Sequence, residues 1–331
     1  MSLLAICIPT YNRKEFLEEC IQSIIDQIFS CNLFEQVQIC ISDNNSNDGT
    51  DEMVAKYISN EKLDIIYSKN SENLGPDLNY LKAISISNAQ YCWYMGSDDV
   101  IAANALTNLL KEIQTKKDTV YLFNRVECDI NMNRIKDSQW FSADEKSYML
   151  YDDTDCEAYF NGCNSLGAVF SFLSTIVFNK QEWDKVKIDN SYIGTAYPHV
   201  FVLFKMLLQK GNSIKFIKST ILPVLCRGGN DFFGSRGVVK RFEIDLNGYE
   251  KIAYDMFANN ERLQNSFLRI MTREHKITKL FTIRNNLSKH SWKIMANRLR
   301  KFHFNNTQLS CLTLVPDRVF HLIYKILATI R

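Results

Sequence analysis

The stretch LLAICIPTYNRKEFLEECIQSIIDQIF, residues 3 to 29, changes its period partway along. Its first six residues are apolar without alternation, which suits a strand buried on both faces. After the polar PTYNR, the positions Phe16, Leu17, Cys20, Ile21, Ile24, Ile25 and Ile28 share one face of a helix starting near Arg13. The pattern then repeats. VQICIS (37 to 42) precedes a helix from about Thr50, DIIYS (64 to 68) a helix from Pro76 to about Ser87, and QYCWYM (90 to 95) a helix from about Ala103 to Gln114. Pro76 suits a first helical turn. Strands alternating with helices predict an α/β fold, a mixed but mainly parallel sheet with flanking helices, because each parallel connection needs a crossover. Ligands of such sheets bind at the carboxyl ends of the strands. PTYNR (9 to 13), SDNNSNDGT (42 to 50) and GSDD (96 to 99) should therefore share one edge.

The middle of the chain is less regular. TVYLFNRVEC (119 to 128) reads as a strand, and GAVFSFLSTIVF (167 to 178) as a buried strand or pair of strands. An aromatic-rich helix over about 198 to 209 comes before strands at SIKFI (213 to 217) and ILPVLC (221 to 226). The loop RGGNDFFGSRG (227 to 237) marks the expected end of the sheet domain, which divides near residue 125 into two halves. Residues 238 to 331 read as a helical region. One stripe there comprises Leu280, Ile283, Leu287, Ile294, Met295, Leu299 and Phe302; another runs from Val315 to Ile330.

Composition narrows the class. The chain has 331 residues, 46% hydrophobic and 23% charged, as ordinary globular proteins do. Its ten cysteines show neither a CxxC pair nor regular spacing, which disfavours a disulfide framework or structural zinc and suits a reducing cytoplasm. No apolar run reaches the ~18 residues of a spanning helix, and MSLLAICIPTYN lacks a basic start and a cleavage site, so neither export nor membrane crossing is expected. The net charge of +2 hides an asymmetry: residues 276 to 331 hold eleven Lys and Arg against Asp317 alone. Those cations alternate with apolar residues at helical spacing, which points to anionic lipid rather than nucleic acid.

The three loops carry the chemistry. In GSDD, Ser97, Asp98 and Asp99 could cap a following helix. Alternatively, Asp98 and Asp99 could hold Mg²⁺ or Mn²⁺ beside a diphosphate, since such ions take one or two carboxylates and complete their shell with phosphate oxygens and water. Asp43 ends a strand where a carboxylate can meet ribose hydroxyls or a base edge. Tyr11 could stack on a base while Arg13 approaches a phosphate. Neither GxGxxG nor GxxxxGK[ST] is present, which argues against a nicotinamide cofactor and phosphate-loop chemistry.

In this order, IPTYNR, SDNNSNDGT, ENLGPDLNYLKA (72 to 83) and GSDD resemble the signature of family-2 glycosyltransferases with the GT-A fold, over about the first 120 residues. That resemblance implies transfer of a sugar from a nucleotide diphosphate with a divalent metal. It places Pro9, Thr10, Tyr11, Arg13 and Asp43 on the nucleotide, Asn73 and Gly75 beneath the donor, Asp98 on the ribose or metal, and Asp99 on the metal. KEFLEEC, ICISDNNSNDGTDEM, NLGPDLNYL, YCWYMGSDD, SYIGTAYPHVF (191 to 201) and CRGGNDFF (226 to 233) further resemble the abequosyltransferases of bacterial O-antigen assembly. Those enzymes move a 3,6-dideoxyhexose from its CDP derivative to a mannose of an undecaprenyl-diphosphate-linked oligosaccharide. The resemblance implies a cytosolic enzyme at the inner membrane face, where the basic tail would serve.

Two departures from the family pattern follow. Gly96 stands where many members have an acid, and TAYPHVF holds none of the acids that usually face the acceptor. His199 could act there as base, metal ligand or hydrogen-bond donor to the leaving diphosphate. An α-configured donor giving an α-linked product means retention, and a front-face mechanism lets the departing phosphate accept the proton. Tyr197, Arg227 and Asn230 are candidates for acceptor or diphosphate contacts, with Asp231 the remaining catalytic acid. Trp93, Tyr197 and Phe232 could supply apolar surface to a sugar with few hydroxyls. A same-fold transferase using a UDP- or GDP-hexose, and a non-catalytic glycan-binding subunit, are the rival readings.

Overall fold

β1 (Leu4–Thr10) is buried at every residue, as its unbroken apolar run requires. α1 (Lys14–Cys31) buries Leu17, Cys20, Ile21, Ile24, Ile25 and Ile28 against the sheet. The computed structural model of the chain describes residues 1–218, 224–228, 237–316 and 319–320. After α1 come β2 (Val37–Asp43), α2 (Thr50–Ile58), β3 (Asp64–Lys69), α3 (Pro76–Ser85) and β4 (Tyr91–Tyr94). These four strands lie parallel, with Thr10 opposite Asp43 and Asp43 opposite Lys69, so their carboxyl ends form one edge.

β5 (Val100–Ile101) and α4 (Ala105–Lys116) follow, then β6 (Val120–Phe123), β7 (Val126–Cys128), β8 (Arg134–Asp137), β9 (Ser147–Tyr148), α5 (Asp153–Gly162), β10 (Ile176–Asn179), α6 (Lys180–Asp184), α7 (Pro198–Leu207), β11 (Ile214–Ile217) and β12 (Val224–Arg227). Among the described residues the main sheet runs β3-β2-β1-β4-β10-β6-β11-β9, and a smaller one runs β5-β12-β7-β8. β10 is antiparallel to both its neighbours, so the sheet is mixed as expected.

Two strand expectations need correction. Residues 119 to 128 do not form one strand: β6 joins the main sheet and β7 the smaller one. The break falls at Asn124, whose side chain accepts from Trp140 N–H, and Arg125, whose carbonyl accepts from Ser138 N–H. Residues 167 to 178 are mostly not strand. Two 3-10 turns, Leu166–Val169 and Leu173–Thr175, precede β10, and Phe170 between them takes a left-handed φ of +71°. A Cβ on Gly167 would lie 2.3 Å from the Trp140 indole, so that ring can sit flat on the first turn only over a glycine.

From residue 238 the described chain is helical: α8 (Val238–Phe257), α9 (Glu261–Glu274), α10 (Ile277–Asn285), α11 (Lys289–Lys301) and α12 (Asn306–Leu314). α8 and α9 pack into the core that lies under the sheet's second half. Phe160 of α5 meets Phe204 of α7, Phe257 of α8 and Phe267 of α9 with centroids 5.2 to 6.2 Å apart. Leu280, Ile283, Met295, Leu299 and Phe302 of the predicted stripe join this core, whereas Ile294 is 60% exposed. Most of the second stripe, residues 321 to 330, lies outside the described residues.

Candidate active site

The expected edge exists. Pro9, Thr10, Tyr11, Arg13, Asn44, Asn73 and residues 96 to 99 line one cleft of about 620 Å³. Amide side chains tie its loops together. Asn44 donates to Asn73 Oδ1 at 2.7 Å and accepts from Leu74 N–H at 2.8 Å; Asn79 of α3 donates to the Thr10 and Ser42 carbonyls. Asp48 accepts from Lys14 N–H at 2.9 Å, which binds the second loop to the start of α1. The Tyr11 ring is 44% exposed, open to a stacking partner. The buried Thr10 hydroxyl has no hydrogen-bond partner among the described residues.

Two expected nucleotide contacts stand behind this wall rather than in it. Asp43 is fully buried, and its carboxylate accepts from Ser46 N–H at 2.8 Å and Tyr67 O–H at 2.6 Å, fixing the turn after β2. Gly75 starts α3 with φ +82°, a conformation that favours glycine, and does not line the cleft.

Capping does not explain the acid pair. Asp99 is followed by β5, and α4 begins only after Asn104, so neither Asp98 nor Asp99 stands at a helix start. Asp98 pairs with Arg13 at 2.7 Å, so that cation neutralises a carboxylate here. Asp99 is 4% exposed and accepts from the Ser174 hydroxyl and from Arg227 N–H. Burial, and then the charge of Asp98, push the Asp99 carboxyl up to about 7. Ser174 also accepts from Gly96 N–H at 2.8 Å. A Cβ at Gly96 would stand 3.0 Å from Asp99 Oδ2 and 3.2 Å from both Asp98 Oδ1 and Ser174 Oγ, so a larger residue there would press on the acids.

Across the cleft lie Tyr197 and His199. Tyr197 donates its hydroxyl hydrogen bond to Asp245 of α8, which also receives Arg241. Asp77 of α3 accepts from the Gly194 and Ala196 N–H groups at 2.8 and 3.1 Å, drawing the loop before α7 toward the nucleotide side. His199 is 2% exposed, and its Nε2 faces the Phe170 carbonyl at 2.9 Å. A carbonyl only accepts, so Nε2 carries the proton and Nδ1 is left as an acceptor without a partner among the described residues. Burial lowers the His199 pKa to about 4. The ring is therefore neutral near pH 7 and a weak base there.

Arg227 lines the cleft, but its guanidinium is committed to Glu19 and to the Asp98 and Ile130 carbonyls. Trp93 is fully buried in β4 with its indole N–H on the Ser174 carbonyl, so it offers no surface to a sugar. Asn230, Asp231 and Phe232 lie outside the described residues. Sequence reasoning missed Arg125, Trp140, Phe172, Ser174, Arg241 and Glu274, all of which line the cleft. A hydroxyl two residues before β10 or an arginine inside an apparent strand carries no local signal.

A mixed α/β sheet whose parallel strands open onto a cleft at their carboxyl edge is the architecture of GT-A glycosyltransferases. The family model for glycosyl transferase family 2 matches residues 5–173, and the chain belongs to that family: it is a glycosyltransferase. It is 41% identical to the abequosyltransferase RfbV of Salmonella typhimurium over 274 residues, covering 82% of this chain and 80% of that one. It is also 26% identical over 112 residues to a β-1,3-glucosyltransferase of Campylobacter jejuni that acts on GalNAc(5)-diNAcBac-PP-undecaprenol, covering 34% of this chain and 35% of that one. The fold is shared with Staphylococcus aureus TarS in complex with UDP-GlcNAc, at TM-score 0.61 and 14% identity over 98% of this chain and 92% of that one. A mannosyltransferase of Pyrobaculum calidifontis in complex with GDP-Man and Mn²⁺ has the fold as well, at TM-score 0.52 and 12% identity over 93% and 84% of the two chains.

Proposed function

We propose that this glycosyltransferase moves abequose, a 3,6-dideoxyhexose, from CDP-abequose to a mannose of an undecaprenyl-diphosphate-linked O-antigen oligosaccharide. The 41% identity to the Salmonella abequosyltransferase carries the reading, because a match over 274 residues is too long to be confined to the nucleotide half. The cleft supports it: Tyr11 is open for the base, Thr10 offers an unpartnered hydroxyl, and the acid pair lies where the diphosphate would leave.

Asp98 and Asp99 would hold Mn²⁺ or Mg²⁺. Two adjacent carboxylates, one lifted to about 7 by burial and by its neighbour's charge, suit a compensating cation. No group of three or more His, Cys, Asp or Glu able to hold a metal occurs among the described residues, so phosphate oxygens and water would complete the shell. The ion's chemistry would be neutralisation of charge on the departing diphosphate. Arg13 on Asp98 and Ser174 on Asp99 orient the two carboxylates.

Retention is favoured by what faces the acceptor. His199 is neutral, with its acceptor nitrogen suited to a sugar hydroxyl rather than to taking up a proton at neutral pH. Glu127 is held by Ser138 and Arg125, and Glu274 by Leu166 N–H. With none of these described groups free to act as base, the leaving phosphate would accept the proton of the acceptor hydroxyl on the front face.

Residues 276 to 316 contain eight Lys and Arg and no acid. Lys289, Lys293 and Arg300 are exposed on α11 beside Ile294, and Leu314 is 75% exposed on α12. No helix among the described residues is long and apolar enough to cross a membrane. This surface supports peripheral contact with the anionic inner face of the cytoplasmic membrane.

Calorimetric titration with CDP, UDP and GDP in Mn²⁺ tests the donor. CDP should bind tightest, and CDP-abequose should yield product on a mannosyl lipid-linked acceptor. Tight UDP or GDP binding without CDP binding would replace the donor, and absence of turnover with every nucleotide sugar would point to a glycan-binding subunit.

A further inference from the structure

The cleft wall beyond the acid pair is aromatic and cationic, and no step above uses it. Trp140 and Phe172 stand with ring centroids 6.0 Å apart at 60°. The Arg125 guanidinium lies 4.0 Å from the Phe172 centroid and 5.6 Å from that of Trp140. All three residues line the cleft. Arg125 pairs with Glu127 at 3.4 Å, yet its Nε is buried without a hydrogen-bond partner among the described residues.

This wall is held in register with the acids. The Trp140 indole rests on Gly167, whose missing Cβ makes room for it, and Trp140 N–H is anchored on Asn124 at 3.0 Å. Phe172 comes two residues before Ser174, whose hydroxyl donates to Asp99. Asp98, Asp99, Trp140 and Phe172 line the same cleft, so a sugar whose diphosphate sat at the acids would share it with these rings.

The geometry points to a sugar-binding subsite, built by Trp140, Phe172 and Arg125, that reads deoxygenated carbons of the donor hexose. Aromatic faces favour C–H surface, whereas a hydroxyl pressed against them loses its water and gains no partner. A 3,6-dideoxyhexose presents a methyl group at C6 and a methylene at C3, the C–H surfaces such rings accept. The subsite rests on the donor reading above.

The test compares kcat/KM for a CDP-3,6-dideoxyhexose with that for the same CDP-sugar bearing a 6-hydroxyl. The wild type should prefer the first by on the order of 100-fold, the scale at which an apolar pocket rejects an added hydroxyl. Phe172→Ser should cut that preference roughly tenfold and leave CDP affinity by calorimetry unchanged, while Phe172→Leu keeps most of it. An unchanged preference in Phe172→Ser, or a change confined to acceptor KM, would overturn the subsite. If the wild type binds UDP or GDP and not CDP, the donor reading falls; the same two sugars on that nucleotide then decide the subsite by the same ratio.

Discussion

The two sides of the cleft are assembled differently. On the nucleotide side, Thr10 ends β1, Asn44 follows β2 and the 96 to 99 loop comes just after β4; Asn44 N–H donates to the Thr10 carbonyl at 2.9 Å and its side chain to Asn73. On the far side, Tyr197 depends on Asp245 and Arg241 of α8, the 194 to 196 loop on Asp77 of α3, and the Leu166 N–H on Glu274 of α9. The first side places its groups at the ends of parallel strands; the second takes them from loops and helices packed beyond the sheet. Changes on the first should therefore remove activity and spare the fold, and changes on the second should disturb fold and acceptor binding while sparing the nucleotide.

The largest expected effect is that of Asp99→Asn. Turnover should fall by roughly a thousandfold, the several kcal/mol that charge neutralisation of a leaving phosphate is worth. Thermal stability above pH 7 should hold or rise, because the substitution removes a carboxylate whose ionisation burial opposes. A variant that keeps its turnover and melts earlier would make the acid pair structural.

Gly248→Ala probes the other side. A Cβ there would stand 2.1 Å from the Tyr197 ring, so the ring or α8 must move, at a cost of about 1–3 kcal/mol in denaturant unfolding. Acceptor KM should rise and CDP affinity should stay as it was. Loss of CDP binding at unchanged stability would show that the two sides are not separable in this way.

A smaller effect concerns pH. With its folded pKa raised to about 7, Asp99 holds a proton that the unfolded chain releases near its ordinary value of 3.8. Measured against Asp99→Asn, the metal-free wild type should therefore lose stability as pH rises from about 4 to about 7, since its native state binds the Asp99 proton across that window; His199, lowered to about 4, acts in the opposite direction in both proteins and cancels in the difference. Metal-dependent CDP affinity should move the opposite way, gaining about tenfold between pH 6 and 8, and Asp99→Asn should flatten that gain. A wild-type-minus-variant difference that rises with pH through that window would contradict the assignment.

What was legible in the sequence follows the same division. Period and strand-end polarity show β1 to β4, the shared edge and the residues 96 to 99, because each rests on neighbours in the chain. The strand expected over 119 to 128 breaks at Asn124 and Arg125, which bond to Trp140 and Ser138 rather than to the main sheet's ladder, and Arg125 lies on Phe172, contacts no local pattern announces. Likewise 167 to 178 is apolar enough for a strand, but it turns twice to lie under Trp140 and to bring Ser174 to Asp99. Asp43 shows the converse: its place at a strand end was plain, whereas its commitment to Tyr67 and Ser46 depends on side-chain direction.

The most direct test is a crystal soaked with CDP and Mn²⁺, read by anomalous difference density. The manganese peak should stand against the Asp98 and Asp99 carboxylates with the cytosine over Tyr11. A peak elsewhere, with the nucleotide away from the carboxyl ends of β1 and β4, would contradict the account.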